Sequence, residues 1–315
     1  MIADPVHAEV LAVIVAMVDG EPNVLTVPDR LRLPAGPLLP EHRSMQTAVR
    51  AWVEKQTGLS VGYLEQLYTF ADQDRDGSGN RVISMSYLGL VRGLNATGAR
   101  WHSWYSLLPW EDQRAGNALL TNTIAPALRS WATHGGESRL ERCAIDFGFD
   151  NRPWLPDLAL QRYEVLWEAG LVPESQAAVD PTSRASLEPL ATGAAVDPKS
   201  THAGLPGERM DGDHRRILAT GIARLRTKIQ YRPVVFELMP EEFTLGQLQL
   251  CVEALAGQRV HTQNFRRFVE QQQLVEETGH YTPTGGRPAR LYRFRHEVLQ
   301  ERKMVGTKLP SPRSR

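Results

Sequence analysis

The chain has 315 residues, which at roughly 100–200 residues per domain implies two domains. With 42% hydrophobic and 23% charged residues, it is neither wholly disordered nor collagenous nor a coiled coil. The net charge of zero hides an asymmetry: residues 1–204 hold 17 Lys/Arg against 24 Asp/Glu, and residues 205–315 hold 19 against 12, so a polyanion partner suits the C-terminal part. Cys143 and Cys251 lie too far apart in sequence for a disulfide framework and read as two buried thiols. No apolar run approaches the roughly 20 residues that span a bilayer, and Met-Ile-Ala-Asp lacks the basic start of a signal peptide. A cytoplasmic protein without a membrane anchor is expected.

In chain order, Glu9–Val18 is a Val/Ile-rich strand with Pro22–Val27 as its hairpin partner. Ser44–Thr57 has helical spacing, with Met45, Ala48, Val49, Trp52 and Val53 on one face and Gly58 as the stop. Gln66–Ala71 and Val82–Arg92 form a second strand pair, Trp101–Pro109 a loop with a strand, and Asn117–Thr133 another helix. Pro156–Leu171 is amphipathic through Leu158, Leu160, Tyr163, Leu166, Trp167 and Leu171, and docks on the first domain or pairs with another chain. Pro173–Glu208 is rich in Ala, Ser, Thr, Pro and Gly and reads as a flexible linker.

Beyond the linker, Asp213 caps a helix to about Gln230 with Ile217, Leu218, Ile222, Leu225 and Ile229 as its buried stripe. A short strand Val234–Leu238 follows. Thr244 and Gln247 have capping-box spacing ahead of a helix stopped by Gly257. A second helix starts near Thr262, and Leu274–Thr278 and Ala289–Phe294 flank a Gly/Pro turn at Thr282–Pro288. Helix, strand, helix, short turn, helix, hairpin is the order of a winged helix-turn-helix domain.

Few residues suggest metal or nucleophile chemistry. Asp72, Asp74, Asp76 and Gly77 imitate the start of a calcium loop, but Ile83 stands where the bidentate Glu belongs. The nine histidines have no zinc spacing, and no GxSxG or P-loop occurs. Neither a catalytic residue nor a metal ligand is assigned.

The stretch Leu33–Leu59 resembles the loop-helix-loop Nudix box, whose carboxylates hold Mg²⁺ against a diphosphate. Aligned on Gly58 and Leu59, it places Arg43, Trp52, Lys55 and Gln56 at the four carboxylate positions; aligned on Gly36 and Arg50, it places His42, Ala51, Glu54 and Lys55 there. Neither register supplies the negative charge that a hard divalent cation needs. Residues 213–295, through Tyr231-Arg-Pro-Val-Val-Phe-Glu-Leu-Met-Pro, Asn264-Phe-Arg-Arg and Gly286-Arg-Pro-Ala-Arg-Leu-Tyr-Arg-Phe, look like the winged helix of the Nudix-related transcriptional regulators of NAD metabolism.

The expected fold is α+β: a degenerate Nudix-like mixed sheet with flanking helices over residues 1–150, a connecting helix over 151–172, a flexible linker over 173–208, a winged helix over 209–300 and a basic disordered tail over 301–315. Phe265, Phe268 and Val269 face the core of the recognition helix, leaving Thr262, Gln263, Asn264, Arg266 and Arg267 for DNA, joined by Arg287 and Arg290 in the wing. Arg293 is a further candidate for phosphate, and one or two of Arg215, Arg216, Arg224 and Lys228 are assigned to DNA. Arg50, Tyr68 and Arg81 are candidates for a nucleotide ligand, each with a structural role as the alternative. The resemblance implies a repressor of NAD-synthesis or salvage genes that needs no cofactor, senses ADP-ribose or a related nucleotide, and binds double-stranded operator DNA as a homodimer. The alternatives are a Nudix hydrolase of ADP-ribose and a nucleotide-sensing protein-interaction module.

Overall fold

Strand β1 (His7–Val18) is the middle of a mixed sheet and is buried on both faces, which is why it reads as a nearly continuous apolar run. Its even-numbered residues Val10, Ala12, Ile14 and Ala16 pack with Ala48, Val49 and Val53 of α1 (Met45–Thr57), while Leu11, Val13 and Val15 face the opposite layer. The strand order is β4 (Tyr63–Phe70), β5 (Val82–Leu90), β1, β2 (Glu21–Thr26), β6 (Arg100–Ser103), with β3 (Ala35–Pro37) also paired to β1. Only β1 and β5 run parallel, with His7 opposite Val82; the other pairs are antiparallel. This computed structural model describes residues 6–71, 82–92, 100–133, 135–177, 205, 207–231, 233–283 and 288–295.

Local signals explain the ends of α1. The Ser44 side chain accepts from Thr47 N, and Gly58 closes the helix at φ +69° with its N–H on Glu54 O. Met45, expected inward, is exposed instead in the first turn of the helix. The short α2 (Trp104–Leu107) follows β6 directly, and a π-helical turn at Leu120–Ile124 leads into α3 (Ala125–Thr133). The helix α4 (Glu137–Phe147) has no counterpart in the sequence reading. Its many charged residues leave a short buried face of Cys143, Ala144 and Phe147.

The amphipathic segment after Leu155 becomes a 3₁₀ turn at Pro156–Leu158 and then α5 (Ala159–Glu168), which docks within this chain through Tyr163, Val165 and Leu166. Trp167, expected inward, stays 43% exposed. Both ends of the expected linker are ordered. Helix α6 (Pro173–Ala177) presents Glu174 to Arg215 at 2.6 Å, Leu205 is buried, and Glu208 N–H bonds Ser106 O at 3.0 Å. Residues 178–204, and the expected tail, lie outside the described residues.

The largest departure concerns α7 (His214–Tyr231), expected as the first helix of the C-terminal module. It lies across the sheet face that α1 leaves open, with Ile217, Leu218, Ile222 and Leu225 in one core with Leu11, Val13 and Val15. At Gly221 a Cβ would come within 2.9 Å of Val13 Cγ1, so the glycine lets the helix sit down on the strand. The same core continues to Phe236, Phe243, Phe265 and Leu274. Val234–Glu237 is a 3₁₀ turn and not the expected strand, since Pro233 and its successors fold back under α7. Then come α8 (Leu245–Ala256), α9 (Thr262–Gln271), β7 (Val275–Thr282) and β8 (Ala289–Phe294), the last two as an antiparallel hairpin. Phe243 bridges to Tyr292 and adds a short third strand.

Candidate DNA interface and nucleotide site

Helix α9 has an apolar back and a polar face. Phe265 and Val269 are buried against α8 and the hairpin, while Thr262, Gln263, Asn264, Arg266 and Arg267 are all exposed. The helix is positioned from α8. The capping box of Thr244 and Gln247 starts α8, Gly257 ends it at φ +70°, and Glu253 Oε1 accepts Val260 N at 3.0 Å across the turn. Gln249 Nε2 reaches both Glu253 Oε1 at 2.9 Å and Thr262 Oγ1 at 3.1 Å, which ties the first residue of α9 to the helix before it. An exposed polar helix face fixed by an apolar back is the form that enters a major groove.

The wing is less purely basic than its sequence implies. Arg290 donates to Glu277 at 2.6 Å and Arg293 to Glu276 at 2.5 Å, so each arginine already has a carboxylate. A phosphate would compete with these exposed pairs. Arg287 lies outside the described residues. The arginines of α7 have other partners: Arg215 pairs with Glu174, Arg216 with Glu164 at 2.9 Å and Lys228 with Glu65. Arg215, Arg216 and Lys228 thus hold the basic C-terminal part to the acidic N-terminal part and do not form a DNA surface. Arg224 remains exposed.

Around the box-like segment, Gln56 bonds both the N–H of Ala35 (3.1 Å) and its carbonyl (2.8 Å). Trp52 lies over Gly36, where any Cβ would meet the indole at 2.3 Å, and its Nε1 donates to Pro37 O at 3.0 Å. The Lys55 ammonium sits 4.7 Å from the centre of that indole, and His42 Nδ1 accepts Leu39 N at 3.0 Å. Next to Gln56, a cleft of about 520 Å³ is lined by Val27, Pro28, Asp29, Arg30 and Arg32. Arg32 Nε is buried there without a hydrogen-bond partner. Among the described residues, no group of three His, Cys, Asp or Glu is arranged to hold a metal ion.

The three sequence candidates for a ligand are not brought together. Arg50 donates to Val61 O (3.1 Å) and Gly62 O (2.8 Å), fixing the turn into β4, whereas Tyr68 is 59% exposed towards the far end of that strand. Arg81 lies outside the described residues, as do Asp72, Asp74, Asp76 and Gly77. What sequence reasoning missed is a fully buried ion cluster. Glu111 accepts Arg162 Nε at 2.6 Å and also receives Arg226, and all three side chains are within 1% of complete burial. Burial pushes the Glu111 carboxyl up, but the two guanidiniums outweigh it and hold it below its ordinary value. With the partners 51 and 115 positions apart in the chain, no local spacing announces the cluster.

A mixed sheet sandwiched between helices and followed by a helix-turn-helix with a wing defines the class: a Nudix-like domain carrying a winged helix. Residues 235–294 match the NrtR DNA-binding winged helix domain. An ADPR responsive transcriptional repressor NtrR of Acinetobacter baylyi is 40% identical over 82 residues, 26% of this chain, and the match spans 33% of that relative's length. In fold, Shewanella oneidensis NrtR complexed with a 27mer DNA superposes with a TM-score of 0.54 at 19% identity, covering 96% of this chain and 99% of that one. A MutT/nudix family protein from Enterococcus faecalis gives 0.51 at 16% identity over 93% and 88%. No helix among the described residues is long and apolar enough to cross a membrane.

Proposed function

We propose that this chain is a cytoplasmic DNA-binding transcriptional repressor whose Nudix-like part senses ADP-ribose or a related NAD-derived nucleotide without hydrolysing it. The observation that carries the reading is the α9 face: five polar residues exposed together on a helix held from behind by Phe265 and Val269. The 40% identity over 82 residues to a transcriptional repressor supports the DNA-binding part of this reading, and that relative's description as ADPR responsive motivates the choice of effector. Thr262, Gln263, Asn264, Arg266 and Arg267 read bases or position the helix, and Arg287 and Arg290 meet phosphates. Two copies read a two-fold operator.

Residues of the box-like segment do not fit the Mg²⁺ that Nudix catalysis uses. An indole over Gly36, an ammonium on that indole and a neutral amide tied to Ala35 leave no cluster of hard anionic oxygens there. The cleft holds Arg30 and Arg32 beside Asp29, with Arg30 3.8 Å from Asp211, and the buried Arg32 Nε without a hydrogen-bond partner supports an anionic ligand there. Arg50 orders the turn into β4, and Tyr68 and Arg81 remain candidate contacts to the base or diphosphate. Calorimetric titration with ADP-ribose in EDTA and again in Mg²⁺ tests this reading. Equal affinity in both, with the ligand recovered intact, is expected; binding that needs Mg²⁺, or AMP as product, would replace the sensor with a hydrolase.

A further inference from the structure

The buried cluster at Glu111 does more than neutralise charge, because it also grips the end of α8. Arg226 donates from Nε to Leu255 O at 2.8 Å, from Nη1 to Pro156 O at 3.0 Å and from Nη2 to Glu111 O at 3.2 Å. Tyr105 donates its hydroxyl to Ala254 O at 2.6 Å. Two consecutive carbonyls in the last turn of α8 are therefore held by side chains from outside the winged helix, Tyr105 on α2 and Arg226 on α7. Helix ends leave such carbonyls without intrahelical partners, so they are natural points of attachment.

The grip extends into the turn that leads to α9. Gln113 N–H bonds Gly257 O at 2.7 Å, and Arg259 Nε bonds Arg114 O at 2.8 Å. Arg114 in turn holds Glu21, the first residue of β2, through two bonds of 2.8 and 2.7 Å. The last residues of the same hairpin run into Val27–Arg32, the wall of the cleft beside Gln56. Strand β2 thus joins the cleft wall to Arg114, while Tyr105 and Arg226 hold the end of α8 and Gln113 and Arg114 hold the turn into α9.

We propose that Tyr105, Glu111 and Arg226 form a latch on the C-terminus of α8 that sets the angle of α9 relative to the sheet, making them positioning residues for DNA reading and not contacts to DNA or nucleotide. The DNA part rests on the regulator reading above; the angular part does not. Arg162 completes the cluster by keeping Glu111 charged. Strand β2 links the cleft wall at Val27–Arg32 to Arg114, three residues along the chain from Glu111.

The test is a distance measurement in the full chain. Spin labels go on cysteines introduced at exposed positions, Ala51→Cys on α1 and Glu270→Cys on α9, while the native Cys143 and Cys251 are buried and stay unlabelled. Labelled protein is diluted with unlabelled protein so that only distances within one chain are read. The parent should give one narrow distance, and Glu111→Gln should broaden or shift it by several ångströms. Tyr105→Phe, which removes a single hydroxyl, carries the test if Glu111→Gln does not fold. In the same variants, a duplex selected from a random pool on the parent protein should bind at least threefold more weakly, with ADP-ribose affinity unchanged within twofold. An unchanged distance distribution overturns the latch, and a broadened one with unchanged duplex affinity overturns its positioning role. If the parent selects no duplex, the regulator reading has failed, and the distance comparison still decides the latch.

Discussion

Gly257→Ala probes the joint between the two halves of the molecule. The residue lies at φ +70°, which costs alanine about 1–2 kcal/mol in any surroundings. Its Cβ would also fall 2.2 Å from Glu111 O, 2.9 Å from Arg226 Nη2 and 3.0 Å from the Tyr105 hydroxyl. The nearest of these is backbone and cannot swing away, so α8 must back off from the cluster, at the roughly 1–3 kcal/mol typical of overpacking. The total is about 2–5 kcal/mol. Gly116→Ala separates the two contributions, because Gly116 has φ +78° with nothing within 4 Å of a Cβ and should lose only about 1–2 kcal/mol. Urea titrations of both variants, followed by tryptophan fluorescence, give the difference directly. If Gly257→Ala loses no more than Gly116→Ala, the close docking of α8 on Glu111 is wrong.

Glu111→Gln should destabilise the chain by about 3–5 kcal/mol at pH 7, since it leaves two buried guanidiniums without their counter-charge. The depressed carboxyl in the folded state means that this stability is fully present above the ordinary value of 4.5 and is lost as the pH falls through the lowered one. Urea midpoints at pH 7, 4.5 and 3 should therefore converge between parent and variant in acid; parallel curves would deny the shift. Arg266→Ala should cost about 1–3 kcal/mol of duplex affinity and relax discrimination at one base pair, read by competition among single-site operator variants. An equal loss on every sequence would make Arg266 a phosphate contact. Arg290→Ala should weaken all duplexes alike and make the salt slope shallower by about one unit, whereas Glu277→Gln, by freeing Arg290 from its carboxylate, should tighten binding. Anisotropy titrations at several salt concentrations check both, and weaker binding by Glu277→Gln would show that the pair itself meets DNA.

The legible parts of the fold are those written in local chemistry. Ser44 and Gly58 bracket α1, Thr244 and Gln247 start α8, and the outward face of α9 follows from Phe265 and Val269. Strand β1 was recognisable from its apolar run because both its faces are covered. What stayed hidden depends on contacts distant in sequence. The apolar stripe of α7 says that the helix is half-buried but not on what, and only Gly221 against Val13 and the pairs with Glu65, Glu164 and Glu174 attach it to the sheet. Those three pairs cancel part of the opposite charge of the two parts inside the protein. Val-Val-Phe favours a strand over Val234–Leu238, but after Pro233 all three side chains are buried in a 3₁₀ helix over Val234–Glu237. The candidate ligand residues were read singly, and a strand's length separates Arg50 from Tyr68.

The central claim is that one chain couples a nucleotide to DNA. The most direct measurement is the affinity of the full-length protein for a fluorescent duplex, selected from a random pool, titrated in EDTA with and without saturating ADP-ribose. A coupled regulator should bind the duplex with a marked preference over scrambled sequence, and ADP-ribose should change its Kd at least tenfold, about 1.4 kcal/mol of coupling. A selection that enriches no sequence, or a Kd that ADP-ribose leaves unchanged, would contradict the account.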